Sequence, residues 1–227
     1  MGGRGSSSSV PTVHPGPGGV GGSGQWSVGP GFQNEQSLRT ALGNKGKPRS
    51  MADATMNSNP YYDGTYKEFS ENCQRAVIAY EARRRGYDVT AQPTYQGDVL
   101  PTQAYVDPKT GIRQMHWMGA FQGAKPEKVG KTTAQATQNA LESKMKEYGE
   151  GSRGIMQVQW KGGGGHVLNV EYKNGKVHYN DAQVGAKYKP SELFGAIKTG
   201  ATQLVRTDNL KLSDRAKKSV EQTGKRK

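Results

Sequence analysis

The sequence predicts an α+β fold that combines helices with an antiparallel sheet. Small and apolar residues recur at helical spacing from Ala76 to Tyr80, within a run that continues to Arg85. Asn174 and Gly175, the strongest short signal for a hairpin turn, separate two segments in which apolar and polar residues alternate. A second helix, amphipathic, is predicted over residues 133–148. Helices and a hairpin in separate parts of one chain favour this class.

Composition divides the chain into four parts. Residues 1–31 are largely Gly, Ser, Pro and Val with almost no charge, so they cannot bury enough surface to offset the entropy lost on ordering. We expect a disordered linker there, followed by a polar leader over residues 32–58 that contains a short helix near residues 36–42. The folded domain is expected over residues 59–210. The basic, polar segment 211–227 is expected to be a frayed helix or disordered.

Cys73 is the only cysteine among the 227 residues, and it stands where a helix should begin. Ser70, Glu71 and Asn72 suit a helix cap or first turn, and Gly86 suits a helix stop. A thiolate is stabilised at the positive end of a helix dipole, and the thiolate is the nucleophilic form of cysteine. Lone cysteines are more commonly small buried apolar residues. The chemical interpretation therefore requires a basic partner.

Between this helix and the hairpin the pattern is weaker. His116 lies in this stretch and is an alternative general base, but no strand-paired carboxylate is near it in the sequence. Elsewhere, strands are predicted over residues 87–92, 155–160 and 203–206, a turn over 107–111, and a short helix over 191–198.

The two-residue turn sets the register of the hairpin. If Asn174 and Gly175 form the turn, Lys173 pairs with Lys176, and every later pair follows. Side chains two residues apart share one face of a sheet.

This register brings polar side chains of the hairpin together. His166, Asp181 and Gln183 project from the same side, with His166 and Asp181 as diagonal neighbours about 7–8 Å apart at the backbone. A carboxylate at this distance can orient an imidazole, whereas His178 falls on the opposite face. The glycine run 162–165 before His166 lacks the Lys-Ser/Thr ending of phosphate-binding loops. We interpret it as a flexible rim for substrate approach or as a simple hairpin loop.

Cys73, His166 and Asp181 occur in the chain order of nucleophile, base and orienting acid that papain-like enzymes use. The chain resembles the papain-fold toxins (Tox-PL), a group of bacterial polymorphic toxins described as glutamine deamidases. The resemblance is carried by residues 72–75 and 79–89 and by blocks at 158–160, 165–167 and 181–185, in the family's order. It extends over roughly residues 59–210. Ala182 departs from the family pattern, which often has proline there.

The resemblance implies a papain-like cysteine hydrolase fold, with Cys73 on an N-terminal helix and His166 and Asp181 on an antiparallel sheet. Carried over residue by residue, Cys73 is the nucleophile, His166 the base and Asp181 the third member of a triad. The implied reaction is deamidation of a reactive glutamine on a target protein, and a cognate immunity protein is an implied partner. The same triad also serves cysteine proteases and isopeptidases. A basic virion or structural protein with an inactive papain fold is a further alternative.

The oxyanion of this reaction needs two donors. The backbone N–H of Cys73 at the helix N-terminus is one. Asn72 and Gln74 are candidates for the second, and Gln183 is an accompanying polar residue of the substrate region. No metal or organic cofactor is expected, because the sequence shows no cluster of metal ligands.

Charge and cysteine content bound the surroundings in which the protein acts. The formal net charge of +13 predicts nonspecific attraction to anionic surfaces. The basic clusters at residues 83–85 and 211–227 are not interleaved with aromatics, which disfavours specific nucleic-acid recognition. One cysteine excludes an intramolecular disulfide, no apolar run is long enough to span a membrane, and no Sec signal peptide is present. The location stays open, and we expect action in a reducing cytosol after delivery by another route or within a particle.

Overall fold

The computed structural model describes residues 35–94, 105–106, 113–114 and 116–225, and the predicted linker over residues 1–31 lies outside them. Helices of the described part comprise six α-helices and three 3-10 helices. They are α1 (Glu35–Leu42), α2 (Met51–Asn57), α3 (Lys67–Ser70), α4 (Cys73–Arg84), α5 (Ala134–Tyr148) and α6 (Pro190–Ala196), with 3-10 helices at His116–Ala120, Thr199–Ala201 and Asp214–Lys218.

In the described ranges, ten short strands form one large sheet and two small ones. They are β1 (Val89–Ala91), β2 (Tyr105–Val106), β3 (Arg113–Gln114), β4 (Glu127–Lys128), β5 (Arg153–Gln159), β6 (Gly165–Lys173), β7 (Lys176–Asp181), β8 (Ala186–Tyr188), β9 (Gln203–Arg206) and β10 (Val220–Gln222). The large sheet is antiparallel with the order β4-β9-β5-β6-β7-β8, while β1 pairs with β10 and β2 with β3. The α+β prediction is confirmed.

The β6–β7 hairpin has the predicted register at its turn. Lys173 pairs with Lys176, and the turn residues Asn174 and Gly175 have φ values of 53° and 71°. Positive φ at both positions matches the right-handed twist of the flanking strands, which is why this dipeptide is favoured. Regular pairing ends before Gln183, which was expected on the same strand face as His166 and lies instead in the turn between β7 and β8.

The large sheet separates two apolar clusters. Alternate strand residues face opposite sides, so Ile155 packs with the cluster around α4, whereas Met156 packs with the cluster around α5 and α6. Helix α4 is buried along most of its length. Each fully buried large apolar side chain contributes about 1.5–3 kcal/mol. The burial of α4 therefore holds its first residue, Cys73, at a defined place beside the sheet.

The arginine block at the end of α4 is paired with carboxylates. The pairs are Arg83–Asp53 at 2.7 Å, Arg84–Glu171 at 2.6 Å and Arg85–Glu81 at 3.4 Å. These partners lie on α2, β6 and α4 itself, so the block anchors the helix inside the domain. Residues 83–85 therefore contribute little to the attraction of anionic surfaces.

The predicted leader, residues 32–58, is part of the fold as far as it is described. Helix α1 confirms the predicted short helix, and Leu42 at its end is fully buried. Helix α2 begins after Ser50, whose side chain accepts a hydrogen bond from Asp53 N–H at 3.0 Å, and it buries Ala54. The folded part therefore begins well before residue 59, because sparse apolar residues in a polar segment still complete the core.

The basic C-terminal segment also differs from the expectation of a frayed or disordered tail. It forms the 3-10 helix Asp214–Lys218 and then β10, which pairs with β1. Leu212, Ala216 and Val220 recur every four residues and are buried. This apolar stripe is short and surrounded by charge, so composition conceals it. The boundary expected at residue 210 is thereby corrected, with order continuing to residue 225.

Several other elements agree with the sequence prediction. Thr133 caps α5 by accepting a hydrogen bond from Ala136 N–H, and Gly149 ends it. Strand β9 has the predicted bounds, and β2 and β3 are paired across the predicted turn, whose residues 107–111 lie outside the described part. In the part of the chain that the structure describes, we find no helix with the length and apolar character needed to span a membrane.

Candidate active site

Cys73 is the first residue of α4 and is a free, partly buried thiol. Asn72 occupies the N-cap position, but its side chain makes no capping hydrogen bond. Asn72 thus stands at a predicted cap position, but its side-chain amide is used elsewhere. The first backbone N–H groups of a helix have no partner within the helix. The thiol therefore stands beside N–H groups directed out of the helix N-terminus.

His166 and Asp181 are brought together by the β6–β7 hairpin. His166 Nε2 lies 2.7 Å from Asp181 Oδ2, and the two residues are 7% and 1% exposed. Two further donors hold the carboxylate: Gln183 N–H bonds to Oδ1 at 3.0 Å, and the Tyr188 hydroxyl bonds to Oδ2 at 3.1 Å. With three hydrogen bonds, the buried carboxylate has a defined orientation.

The electrostatics of this pair favour its charged form. Burial alone would lower the pKa of His166, but the Coulomb attraction of Asp181 and hydrogen bonds to Asp181 and Cys73 outweigh it and raise that pKa to about 10. Burial would raise the pKa of Asp181, yet the attraction of His166 and the hydrogen bonds from His166, Gln183 and Tyr188 lower it. Nε2 of the ring faces Asp181. Asp181 and Cys73 thus both act on the pKa of the same imidazole.

Aromatic side chains surround the imidazole. The Trp160 ring stacks on His166 with centroids 5.5 Å apart and planes inclined by 26°, and it meets Tyr188 edge-on at 6.3 Å. Trp160 precedes the glycine run, in which Gly163 and Gly164 have φ values of 101° and 80°. These conformations suit glycine, and the run is thus a tight turn that seats Trp160 over His166. The sequence analysis included Trp160 only in a block of the family resemblance, without a role at the site, and it did not single out Tyr188.

Asn72 belongs to a buried cluster of amides. Its Nδ2 donates to Asn59 Oδ1 at 2.9 Å and to the Gln92 carbonyl at 3.2 Å, which uses both amide hydrogens. Its Oδ1 accepts from Asn59 at 3.2 Å and from Gln183 Nε2 at 3.4 Å. The geometry therefore counts against the side chain of Asn72 as an oxyanion donor. Asn59, which the sequence analysis did not single out, also donates to the Gln183 carbonyl at 2.8 Å.

Gln74 lies on the first turn of α4 and is 8% exposed. Its Oε1 accepts a hydrogen bond from the backbone N–H of Trp117 at 3.3 Å, which holds the 3-10 helix His116–Ala120 against α4. His116, the alternative base, begins that 3-10 helix, and its side chain lies outside the described residues. His178, whose Nε2 lies 3.2 Å from the Lys173 carbonyl, is apart from the His166–Asp181 pair.

The described residues contain no group of three or more His, Cys, Asp or Glu side chains that could hold a metal ion. The expectation that the reaction needs no cofactor stays a prediction. The described residues offer the groups of acyl-transfer chemistry, namely a thiol at a helix N-terminus, an imidazole whose pKa that thiol affects, and a carboxylate bonded to the imidazole.

Comparison with known families agrees with the sequence resemblance. The model of the family described as papain fold toxin 1, glutamine deamidase, matches residues 71–186, which are just over half of the chain. The matched stretch begins two residues before Cys73 and ends on β8, so it contains Cys73, His166 and Asp181. No curated protein and no solved structure matched significantly. The chain belongs to the papain-fold toxin family of glutamine deamidases.

Proposed function

We propose that the chain deamidates a glutamine side chain of a target protein, with Cys73 as nucleophile, His166 as base and acid, and Asp181 as orienting carboxylate. One observation carries the proposal: His166 bonds to buried Asp181 at 2.7 Å, and the same imidazole interacts electrostatically with Cys73 at the start of α4. Membership of a glutamine deamidase family supports the choice of reaction.

The first half of the reaction forms a thioester. Because the pKa of His166 is raised to about 10, the ring is protonated at neutral pH, and an imidazolium is the neighbour that stabilises a thiolate. The Cys73 thiolate attacks the side-chain amide carbon of the glutamine. His166 gives its proton to the amide nitrogen as the C–N bond breaks, and ammonia leaves.

The second half hydrolyses the thioester. Neutral His166 takes a proton from water, and the resulting hydroxide attacks the thioester carbon. The C–S bond breaks, the Cys73 thiolate is restored beside the imidazolium, and the glutamine has become glutamate. Asp181 keeps the ring in one orientation through both halves and stabilises the positive charge that forms on it.

The oxyanion of each tetrahedral intermediate needs two donors. The Cys73 N–H at the N-terminus of α4 is the first donor, and the helix dipole adds to it. Both amide hydrogens of Asn72 are donated within the domain, so Gln74 stays the candidate for the second donor. We assign Asn72 and Gln183 to holding the loop that precedes Cys73 against the turn that follows Asp181, by way of Asn59.

Analysis of the reaction products distinguishes deamidation from proteolysis. Incubation with glutamine-containing proteins and peptides, followed by ammonia measurement and intact-mass analysis, is expected to show amide-to-acid conversion with an uncut backbone. Cysteine protease or isopeptidase activity from the same triad would instead give fragments or released chains, and that result would replace the proposal.

A catalytic role is tested against that of an inactive structural protein by matched variants. Cys73→Ala and His166→Ala are expected to abolish ammonia release and toxicity in a susceptible cell, whereas His178→Ala on the same hairpin should retain both. Equal toxicity of the wild type and Cys73→Ala would remove the catalytic interpretation. Thiol alkylation is expected to inactivate the wild type, because Cys73 is its only thiol.

A further inference from the structure

We propose that the 3-10 helix Asp214–Lys218 forms a basic rim of the active site and that this rim selects a glutamine flanked by acidic residues in the target protein. The basic rim is defined as Arg215, Lys217 and Lys218. The inference rests on the proposed function, because it names the substrate class of the same site.

One set of contacts attaches this segment to the start of α4. Arg75, two residues after Cys73, donates from Nη1 to the Lys218 carbonyl at 2.6 Å. Gln92 accepts from Asn72 Nδ2 through its carbonyl at 3.2 Å, and its N–H donates to the Ser219 carbonyl at 2.9 Å. One path runs from Lys218 through the Arg75 side chain, and the other runs from Ser219 through the Gln92 backbone and the Asn72 side chain. Both paths therefore join the end of the basic rim to a residue within two positions of Cys73.

A second set of contacts fixes the other end of the rim. A Cβ atom placed on Gly119 would come within 3.2 Å of the Arg215 side chain, so Arg215 lies directly against the 3-10 helix His116–Ala120. The Ser213 hydroxyl also donates to the Gly119 carbonyl. That 3-10 helix is in turn held to α4 through Gln74 and the Trp117 N–H at 3.3 Å. Both attachments lead to the first turn of α4, where Cys73 begins the helix.

The rim carries positive charge that the domain does not neutralise. Lys217 and Lys218 are exposed, and Lys217 reaches Asp214 only at 3.9 Å. Within the described part of the chain, Lys218 and Arg215 form no ion pair. This contrasts with residues 83–85, whose cations are paired inside the fold.

A second segment next to the start of α4 has a nearly balanced charge. Helix α3 and the residue after it carry Lys67, Glu68 and Glu71. Of the two segments attached to the start of α4, the basic rim is therefore the positively charged one. Exposed charges act over about 8–10 Å at moderate ionic strength, so the rim acts on the part of a bound segment that lies along it. An acidic residue beside the glutamine would be attracted on the rim side.

An acidic protein segment fits this rim better than a nucleic acid does. Single-stranded nucleic acid requires aromatic rings on which bases stack, interleaved with the cations. The rim segment 214–218 contains no aromatic residue. Its cations also lie beside a thiol whose proposed substrate is a protein amide, and together these features point to a flanking carboxylate.

The test compares peptides that differ only beside one central glutamine. Peptides with flanking glutamates, serines or lysines are offered to the wild type, to Lys217→Glu/Lys218→Glu, and to the matched control Lys173→Glu/Lys176→Glu. The control makes the same charge change at the hairpin turn, seven strand residues or roughly 23 Å from His166. The kcat/KM for ammonia release is measured, and circular dichroism establishes that each variant is folded.

We expect the wild type to prefer the acidic over the serine-flanked peptide by about tenfold at low salt. This preference should disappear in the rim variant and persist in the control. It should also fall between about 0.01 M and 1 M salt, as the Debye length shrinks from about 30 to 3 Å. The inference about the basic rim would be overturned if the wild type turned over all peptides equally. It would also be overturned if both lysine variants lost the preference for the acidic peptide to the same extent.

A binding measurement separates failure of this inference from failure of the proposed function. If the wild type turns over no peptide, the deamidation proposal fails, and the rim is judged by fluorescence anisotropy of the same labelled peptides with Cys73→Ala. The inference is supported if the acidic peptide binds more tightly than the serine-flanked peptide and this difference disappears when Lys217→Glu/Lys218→Glu is added. Equal affinity for acidic and serine-flanked peptides contradicts it, as does tighter rim-dependent binding of a single-stranded oligonucleotide of equal charge.

Discussion

Replacement of Asp181 by asparagine is the sharpest test of the His166–Asp181 pair and of its proposed role. The substitution keeps the size of a side chain that is 1% exposed and removes its charge. Asparagine can present either its oxygen or its NH₂ group to His166 Nε2, which lies 2.7 Å from the native carboxylate. In either case the ring loses the anion that stabilises its positive form.

The size of the effect follows from the electrostatics of the pair. Asp181 is the main reason that the pKa of His166 is raised from 6.5 to about 10, against the lowering caused by burial. A displacement of this size corresponds to about 5 kcal/mol of imidazolium stabilisation. Since each 1.36 kcal/mol is about tenfold in rate, loss of the imidazolium is expected to slow deamidation about 10³-fold or more.

Two assays measure this loss. The first is kcat/KM for ammonia release at neutral pH. The second is the rate at which iodoacetamide alkylates Cys73, because alkylation reports the thiolate. The wild type is expected to react readily and Asp181→Asn slowly.

Tyr188→Phe is the matched control. It removes one hydrogen bond of 3.1 Å to the same carboxylate but leaves the charge, so a loss of about 1 kcal/mol, roughly fivefold in rate, is expected. The reasoning would be refuted if folded Asp181→Asn kept activity within tenfold of the wild type, or if Tyr188→Phe were equally impaired.

Three further predictions concern stability, each measured by urea unfolding. The pKa of His166 is raised to about 10, so its pairing stabilises the fold fully below pH 6.5 and is lost as the pH rises toward 10. The stability difference between the wild type and Asp181→Asn should shrink over that window, and a constant difference would contradict the pairing. Glu171→Gln leaves Arg84 without its buried carboxylate partner at 2.6 Å and is expected to cost about 3–5 kcal/mol, whereas a cost below about 1 kcal/mol would count against the pair. Removal of residues 211–227 deletes β10 and its buried apolar stripe and is expected to cost at least about 3 kcal/mol; unchanged stability would show that the segment is dispensable.

The orienting pair was predictable because its geometry depends on local rules. A two-residue turn at Asn174 and Gly175 permits only one pairing register of the hairpin strands. That register brings His166 and Asp181 together. The helix beginning at Cys73 was predictable for a similar reason, since capping residues and apolar spacing are read within a few positions. The family resemblance then joined the cysteine to the pair, a link that periodicity cannot supply.

Long-range contacts account for what the prediction missed. Gln183 bonds to Asn72 across 111 positions and Arg75 to Lys218 across 143, and no local pattern announces either contact. These contacts make Asn72 a buried holding residue and fold a basic segment onto the rim of the site.

Sequence patterns of this chain thus specify its α+β class, the helix that begins at Cys73 and the facing of His166 and Asp181, because each follows from spacing within one element. Folding in three dimensions added the aromatic cover of Trp160, the amide cluster and the ordered C-terminal segment. Each of these depends on how buried side chains from distant parts of the chain satisfy one another, and that is a property of packing rather than of order along the chain.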